Sequence, residues 1–587
     1  MDTQKGRSKL SATLLALIMG ASVFMAGQVW AAKMVLDPST GEMISAPEYG
    51  GTFTFPLKEE PANTDVVVSG VWGGSIVNVV VEMPTIQDWA TPRDEFDFVM
   101  PNPPTHTVGH LAESWSQPDP LTYVLNIRQG VNWQDKTPMN GRALTAEDIA
   151  FNYHRVLGLG SGFTERSEHA GFWGGIEVES VTATDSATVA IKLAAPSLSA
   201  LHAILQGTLN FIYAPEVIQA KGDADDWRDL VGTGPYALTD WTKGSSVTWD
   251  KNPDYWGFDE KFPDNRLPYF DQLRALVMPE TTTYISALRT GQLDYIGAAG
   301  GATTLRSIDQ LESLQRTNPE LKVYPIAGRS DNGVGLNIQV EPFGDIRVRK
   351  AMQMALNLEE INQGFYRGFA DTIPQGAVSR LTATVATPFA EWPADVKEAF
   401  EYDPAGAEAL LDEAGYPRGD DGVRFETEFM HLERYDLNYT ELLISYWDAI
   451  GVKVEANVQP LAEFVARRQD RAFQMINAEA AFKGPPVNPV KRFIPSTSWN
   501  SANADDEWYN AKFAEALAAS TLEERDAALG ELDMYGVEQF WHVFGPVGPQ
   551  FSVTQPWVVG YNGEGSISEN GHSTIFTRLW FDSSLKP

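Results

Sequence analysis

Apolar residues recur at two-residue intervals in several stretches of this chain. Leu121, Tyr123, Leu125 and Ile127 alternate with more polar neighbours, and Val189, Ile191 and Leu193 repeat the pattern. A period of two puts one face of a strand on a core. Residues 232–257, GTGPYALTDWTKGSSVTWDKNPDYWG, open on Gly232, Gly234 and Pro235, which allow a tight turn, and then alternate in the same way. That predicts a half-buried hairpin. Elsewhere the signature is helical. Thr145 and Asp148 form a capping box whose helix stops at Gly158. Asp403 caps a second helix that has Pro404 at its first position and Gly415 at its end. A third is predicted as one helix over 345–361, with its apolar stripe through Ile346, Met352, Ala355 and Leu356. The fold class is α/β with mixed sheets.

The first residues follow a different pattern. Lys5, Arg7 and Lys9 precede an apolar run over 10–25, and small residues follow at Val29, Ala31 and Ala32. This predicts a secretory signal over 1–31, cleaved near Ala31, because the run is too short to span a bilayer. There is no twin-arginine pair, so the general secretory route is expected. Residues 32–47 mix Pro, Ser, Gly and Thr with little periodicity and are expected as a flexible lead-in. The chain has no cysteine, which removes disulfides, thiol nucleophiles and a lipidated N-terminal cysteine, and a freely diffusing periplasmic protein is expected. Its 587 residues are enough for three or four domain-sized units. The formal net charge of −34 makes nucleic acid and anionic lipid poor partners and favours solubility in salt.

A chain of this length that catalysed a reaction should show a reactive constellation. It has no G-x-S-x-G elbow, no phosphate loop and no H-E-x-x-H pair. GLGSG at 158–162 follows a helix instead of a strand and reads as a helix stop and turn. His106 and His110 have a metal-compatible spacing, but PNPPTHTVGH is too rich in proline and glycine to hold them on a helix. Neither an enzyme nor a cofactor or metal is expected. Seventeen tryptophans, nineteen tyrosines and twenty-nine phenylalanines suit binding better.

Residues 232–257 resemble a signature segment of the family 5 extracellular solute-binding proteins, the oligopeptide and dipeptide receptors of bacterial ABC importers. Further segments resemble that family in its own order: HLAESWSQPDPLTYVLNIRQGVNWQDKTP (110–138), LTAEDIAFNYHRVL (144–157), LPYFDQLRALVMPETTTYISALRTGQLDYI (267–296), FGDIRVRKAMQMALNLEEI (343–361), EYDPAGAEALLDEAGYP (401–417) and PWVVGYNG (556–563). The resemblance implies a two-lobed periplasmic-binding-protein-like fold of three domains with a cleft between the lobes. It implies a discontinuous domain I at 48–95, 213–328 and 541–587, domain II at 96–212 and domain III at 329–540, with hinge crossings near Arg329 and Trp541. A monomer that hands a small or oligomeric solute to a membrane ABC permease is expected.

Candidate ligand residues follow from the same comparison. Trp72 in VSGVWGGS and Phe172 and Trp173 in HAGFWGG are flanked by glycines that let a second body approach, and Trp499 in STSWNSAN is a counterpart in domain III. FQMINAEAAFKGPPVNP (473–489) resembles the segment where peptide-binding members carry an aspartate for the peptide's α-ammonium, yet it offers Phe482 and Lys483 there. Glu479 could take over that charge, or Lys483 with Arg468 could receive an anionic or hydroxyl-rich solute. Three readings stand: transport binding of a peptide-like, oligosaccharide or other polar solute; a chemoreceptor partner or chaperone on the same fold; and a secreted hydrolase, which must yield a product.

Overall fold

The computed structural model describes residues 33–587 except 70–73, 99–103, 171–175, 199, 208, 301–302, 327–329, 383, 434, 481–485, 520 and 569–572. The alternating stretches become sheets. Strand Thr52–Leu57 runs parallel to Gln272–Val277, and the hairpin Tyr236–Thr242/Ser246–Lys251 extends that sheet from its other side. Thr122–Ile127 and Thr188–Leu193 pair in register, Tyr123 with Ile191 and Leu125 with Val189, between Ala112–Asp119 and Val178–Asp185. Helix Ala146–Leu157 packs on this second sheet. These two sheets share one continuous apolar core, in which Phe53 and Phe55 each lie under 5 Å from Phe576, at 4.8 and 4.7 Å between centroids.

A five-stranded sheet has a core of its own. Its order is Val452–Gln459, Phe425–Leu432, Met475–Ala480, Ser330–Leu336, His542–Val543, and the first three strands are parallel. A separate cluster from Val334 to Val547 fills one face of it. The chain enters from Lys322–Ile326 and returns to Gln550–Thr554, two strands that pair with each other in a three-stranded sheet. Their continuations, Ser330–Leu336 and His542–Val543, also pair with each other. The two bodies are therefore joined by neighbouring passages of chain. Arg329 lies outside the described residues. Trp541 is buried at 2% exposure against Phe493 and Tyr509, so the return passage begins only after Val543.

Local signals act as their chemistry requires. Thr145 and Asp148 form the capping box and Gly158 takes a left-handed φ of 68°. Asp403 accepts from Gly406 N before helix Pro404–Glu413, and Gly415 follows at φ 92°. Gly160 and Phe163 bridge to make the turn expected of GLGSG. The single helix over 345–361 is two helices, Ile346–Met354 and Leu358–Gly364, because Asn357 accepts from Glu360 N and starts a new one. Ile346, placed on the apolar stripe, is 40% exposed. The lead-in is no loose tail. Met34–Leu36 and Met43–Ser45 form a hairpin, pinned by the buried Asp37–Lys261 pair at 3.2 Å and by Trp580 Nε1 donating to Ser45 O at 3.1 Å. No helix among the described residues is long and apolar enough to cross a membrane.

Candidate functional site

The 232–257 segment converges on one buried carboxylate. Thr233 Oγ1 donates to Glu82 Oε2 at 2.7 Å, Tyr255 OH to Oε1 at 2.8 Å and Trp256 Nε1 to Oε2 at 3.2 Å. His110 Nε2 lies 2.6 Å from Oε1. Burial alone would raise this carboxyl, but the His110 charge and the hydrogen bonds outweigh burial and hold it below the usual range. The glycines serve this convergence, not a left-handed turn. A Cβ on Gly232 would fall 1.8 Å from Val80 O, and one on Gly234 2.6 Å from Val79 O. With both oxygens partnered inside the protein, Glu82 is a structural centre. His110 belongs to it. His106 instead stacks on Phe96 at 5.1 Å and lies 3.8 Å from Glu95.

Strand direction points to a candidate binding edge. Leu432, Gln459 and Ala480 end three parallel strands on the same side of the five-stranded sheet, and Ser330, where the chain has just crossed, pairs with Ala480. The carboxyl ends of parallel strands therefore point toward the other body. Ligands of open α/β sheets bind at such ends, where loops diverge and backbone groups are free. Glu479 is the penultimate residue of Met475–Ala480 on that edge. Glu433 N donates to Gln459 O at 3.0 Å and Leu432 N to Asn477 Oδ1 at 2.7 Å, which joins the strand ends into one rim. Glu433 and Gln459 were not reached from the sequence. Their only signal was the end of each alternating run.

The remaining candidates divide. Trp72, Phe172, Trp173, Phe482 and Lys483 lie outside the described residues. Arg468 and Trp499 do meet, with the guanidinium carbon 3.8 Å from the ring centroid and Arg492 a further 5.3 Å neighbour of the same ring. Their place is the far end of the sheet. Arg468 is in the last turn of helix Leu461–Gln469, which runs back from the rim. The Trp499 loop is tied down by Arg471 Nη1 on Asn500 O at 2.9 Å and by Ile338 N on Ala502 O at 3.0 Å, beyond the finish of Ser330–Leu336. A strand of that length separates them from Glu479 by about 20 Å. Among the described residues no group of three or more His, Cys, Asp or Glu could hold a metal.

Two bodies with separate cores, joined by paired passages beside the carboxyl ends of parallel strands, define a two-lobed α/β binding protein. The model of the bacterial extracellular solute-binding proteins, family 5, matches residues 106–504, and the chain belongs to this family, whose members are binding proteins. It is 25% identical to heme-binding protein A of Haemophilus influenzae over 439 residues, covering 71% of this chain and 74% of that one. With the dipeptide-binding protein of Escherichia coli it shares 25% over 391 residues, 63% of this chain and 67% of the relative. The solved structure of the ABC transporter-associated periplasmic binding protein DppA of Helicobacter pylori, in complex with peptide STSA, superposes with a TM-score of 0.67 at 20% identity, covering 91% of this chain and 99% of DppA.

Proposed function

We propose that this protein is the solute receptor of a bacterial ABC importer: it is exported with cleavage near Ala31, works in the periplasm as a monomer and hands a peptide-like or other polar organic solute to a membrane permease. Lobe one is assigned to 48–95, 213–328 and 541–587 with 96–212 inserted, and lobe two to 329–540. The separate cores support that division except at 541–547, where Trp541, Val543, Phe544 and Val547 pack in the cores of lobe two. The observation that carries the reading is the rim of parallel strand ends beside both passages. Solute sits there, beside the strand end that carries Glu479; Phe482, Lys483, Trp72, Phe172 and Trp173 are assigned to the site from the family resemblance alone. Arg468 and Trp499 are set aside because they lie at the other end of the sheet. Contacts to both lobes exist only when the cleft is shut, so binding energy favours closure.

A thermal-shift series of free and N-acetylated peptides, oligosaccharides and heme tests this, followed by mass spectrometry of each bound compound. Saturable binding of one unaltered compound, weakened several-fold by Glu479→Gln or Phe482→Ala, is expected. Chemical conversion of the compound, or affinity unchanged in both variants, overturns the reading. Heme is included because the match to heme-binding protein A spans most of both chains. A Soret shift on titration would select it over peptide.

A further inference from the structure

Two elements from different cores meet beside the return passage. Helix Leu358–Gly364 belongs to lobe two, and after it Arg367 and Gly368 take left-handed backbone at φ 51° and 84°. An arginine in that region is strained unless something holds it. Its side chain reaches the other lobe. Arg367 Nη2 donates to Asp309 and Nη1 to Glu312, which stand one turn apart on helix Ile308–Thr317 of lobe one. Two residues on, Phe369 meets Phe551 edge-on at 5.7 Å. Asp371 and Val547 then exchange both backbone hydrogen bonds, at 3.0 and 2.8 Å. Tyr366 lies so close to Gly548 that a Cβ there would come within 2.9 Å of its ring. Residues 366–371 are thus a strap, fastened to the return passage and reaching across to the other lobe.

We infer that this strap is a salt-tunable latch: Arg367, shared between Asp309 and Glu312, holds the lobes in the arrangement seen here, and its release changes how far they separate. The inference rests on the two-lobed reading above and goes beyond it. A net charge of −34 makes the lobes repel one another, and a cation shared by two carboxylates opposes that repulsion locally. The side chains remain accessible, at 43% for Arg367, 78% for Asp309 and 49% for Glu312, so dissolved salt weakens the contact. A latch of this strength biases the resting equilibrium and leaves solute able to override it. Arg367, Asp309 and Glu312 are none of the proposed solute residues, so changing them tests the lobe angle separately from the solute contacts.

The absence of cysteine makes the test clean. Thr283→Cys in lobe one and Glu455→Cys in lobe two, both at exposed positions, supply one spin-label pair for pulsed distance measurements on the solute-free protein. At about 20 mM salt, Arg367→Glu should broaden the distribution and lengthen its mean, and at about 1 M salt, where both the pair and the repulsion it opposes are screened, the variant and the unaltered protein should converge. Adding Asp309→Arg and Glu312→Arg to Arg367→Glu should restore the original distribution, which separates a lost latch from a damaged fold. Superimposable distributions for the unaltered protein and Arg367→Glu at low salt would remove the latch. That result leaves solute capture standing, because the thermal-shift series reads capture independently of lobe separation.

Discussion

Glu82 in the first lobe and Asp533 in the second are equally hidden, each 5% exposed, yet their carboxyls are driven in opposite directions. Glu82 is met by His110 and by the side-chain donors of Thr233, Tyr255 and Trp256, and it is held below its usual range. Asp533, on helix Leu522–Glu538, is pushed up to about 7 by burial, against the backbone N–H groups of Val378 and Ala377. Depth is therefore not what sets the sign. A carboxylate deep in a core stays charged when an imidazole and several hydroxyl or indole donors share its charge; two amides do not suffice.

The comparison breaks most visibly at Glu82→Ala. This change leaves His110 and three donors without their acceptor and should cost about 3–5 kcal/mol, read as a large drop in the first lobe's melting temperature with the second lobe's transition unmoved. Gly232→Ala attacks the same centre from the backbone. With a Cβ 1.8 Å from Val80 O, Thr233 cannot stay on Glu82, and a loss of about 2–3 kcal/mol in the same transition is expected.

Asp533→Asn should move the other way. In the folded state this group keeps its proton up to about 7, whereas unfolded it releases it near the ordinary 3.8, so stability falls as pH rises through that interval. The variant should gain about 2 kcal/mol in the second lobe at pH 8, roughly a third of that at pH 5 and almost nothing at pH 3, seen by paired thermal melts. Glu82 predicts the mirror image. Its contribution is present above the unfolded carboxylate range and disappears as pH falls through its lowered folded value. The smallest expected effect is Thr233→Val, which removes one donor of several and should cost about 1 kcal/mol in the first lobe.

The contrast also shows what the chain made legible. Alternation and capping residues specify local conformation, so Thr122–Ile127, Thr188–Leu193 and the helices begun by Thr145 and Asp403 were readable before any tertiary contact was known. Asn357 as a cap was masked by the apolar residues on either side of it. The Glu82 centre joins positions up to 174 residues apart, and periodicity carries nothing over such distances. For the site, Glu479 was named from its neighbourhood, and strand direction then put it on the rim. Arg468 and Trp499 were named as two separate contacts. The cation instead stacks over the aromatic ring, and it does so at the far end of the sheet.

The hairpin of Met34–Leu36 and Met43–Ser45 has a bearing on biogenesis. Ser45 Oγ donates to Asp582, and the indole of Trp580 reaches Ser45 O, so this early hairpin is fastened by residues 535 and 537 positions further along the chain. Lobe one is then unfinished until Trp580 and Asp582 have been made, whereas lobe two holds all its strands between residues 330 and 543 and is free to fold sooner. Losing even the final eight residues, from Trp580 on, would leave the amino-terminal hairpin without its clasp.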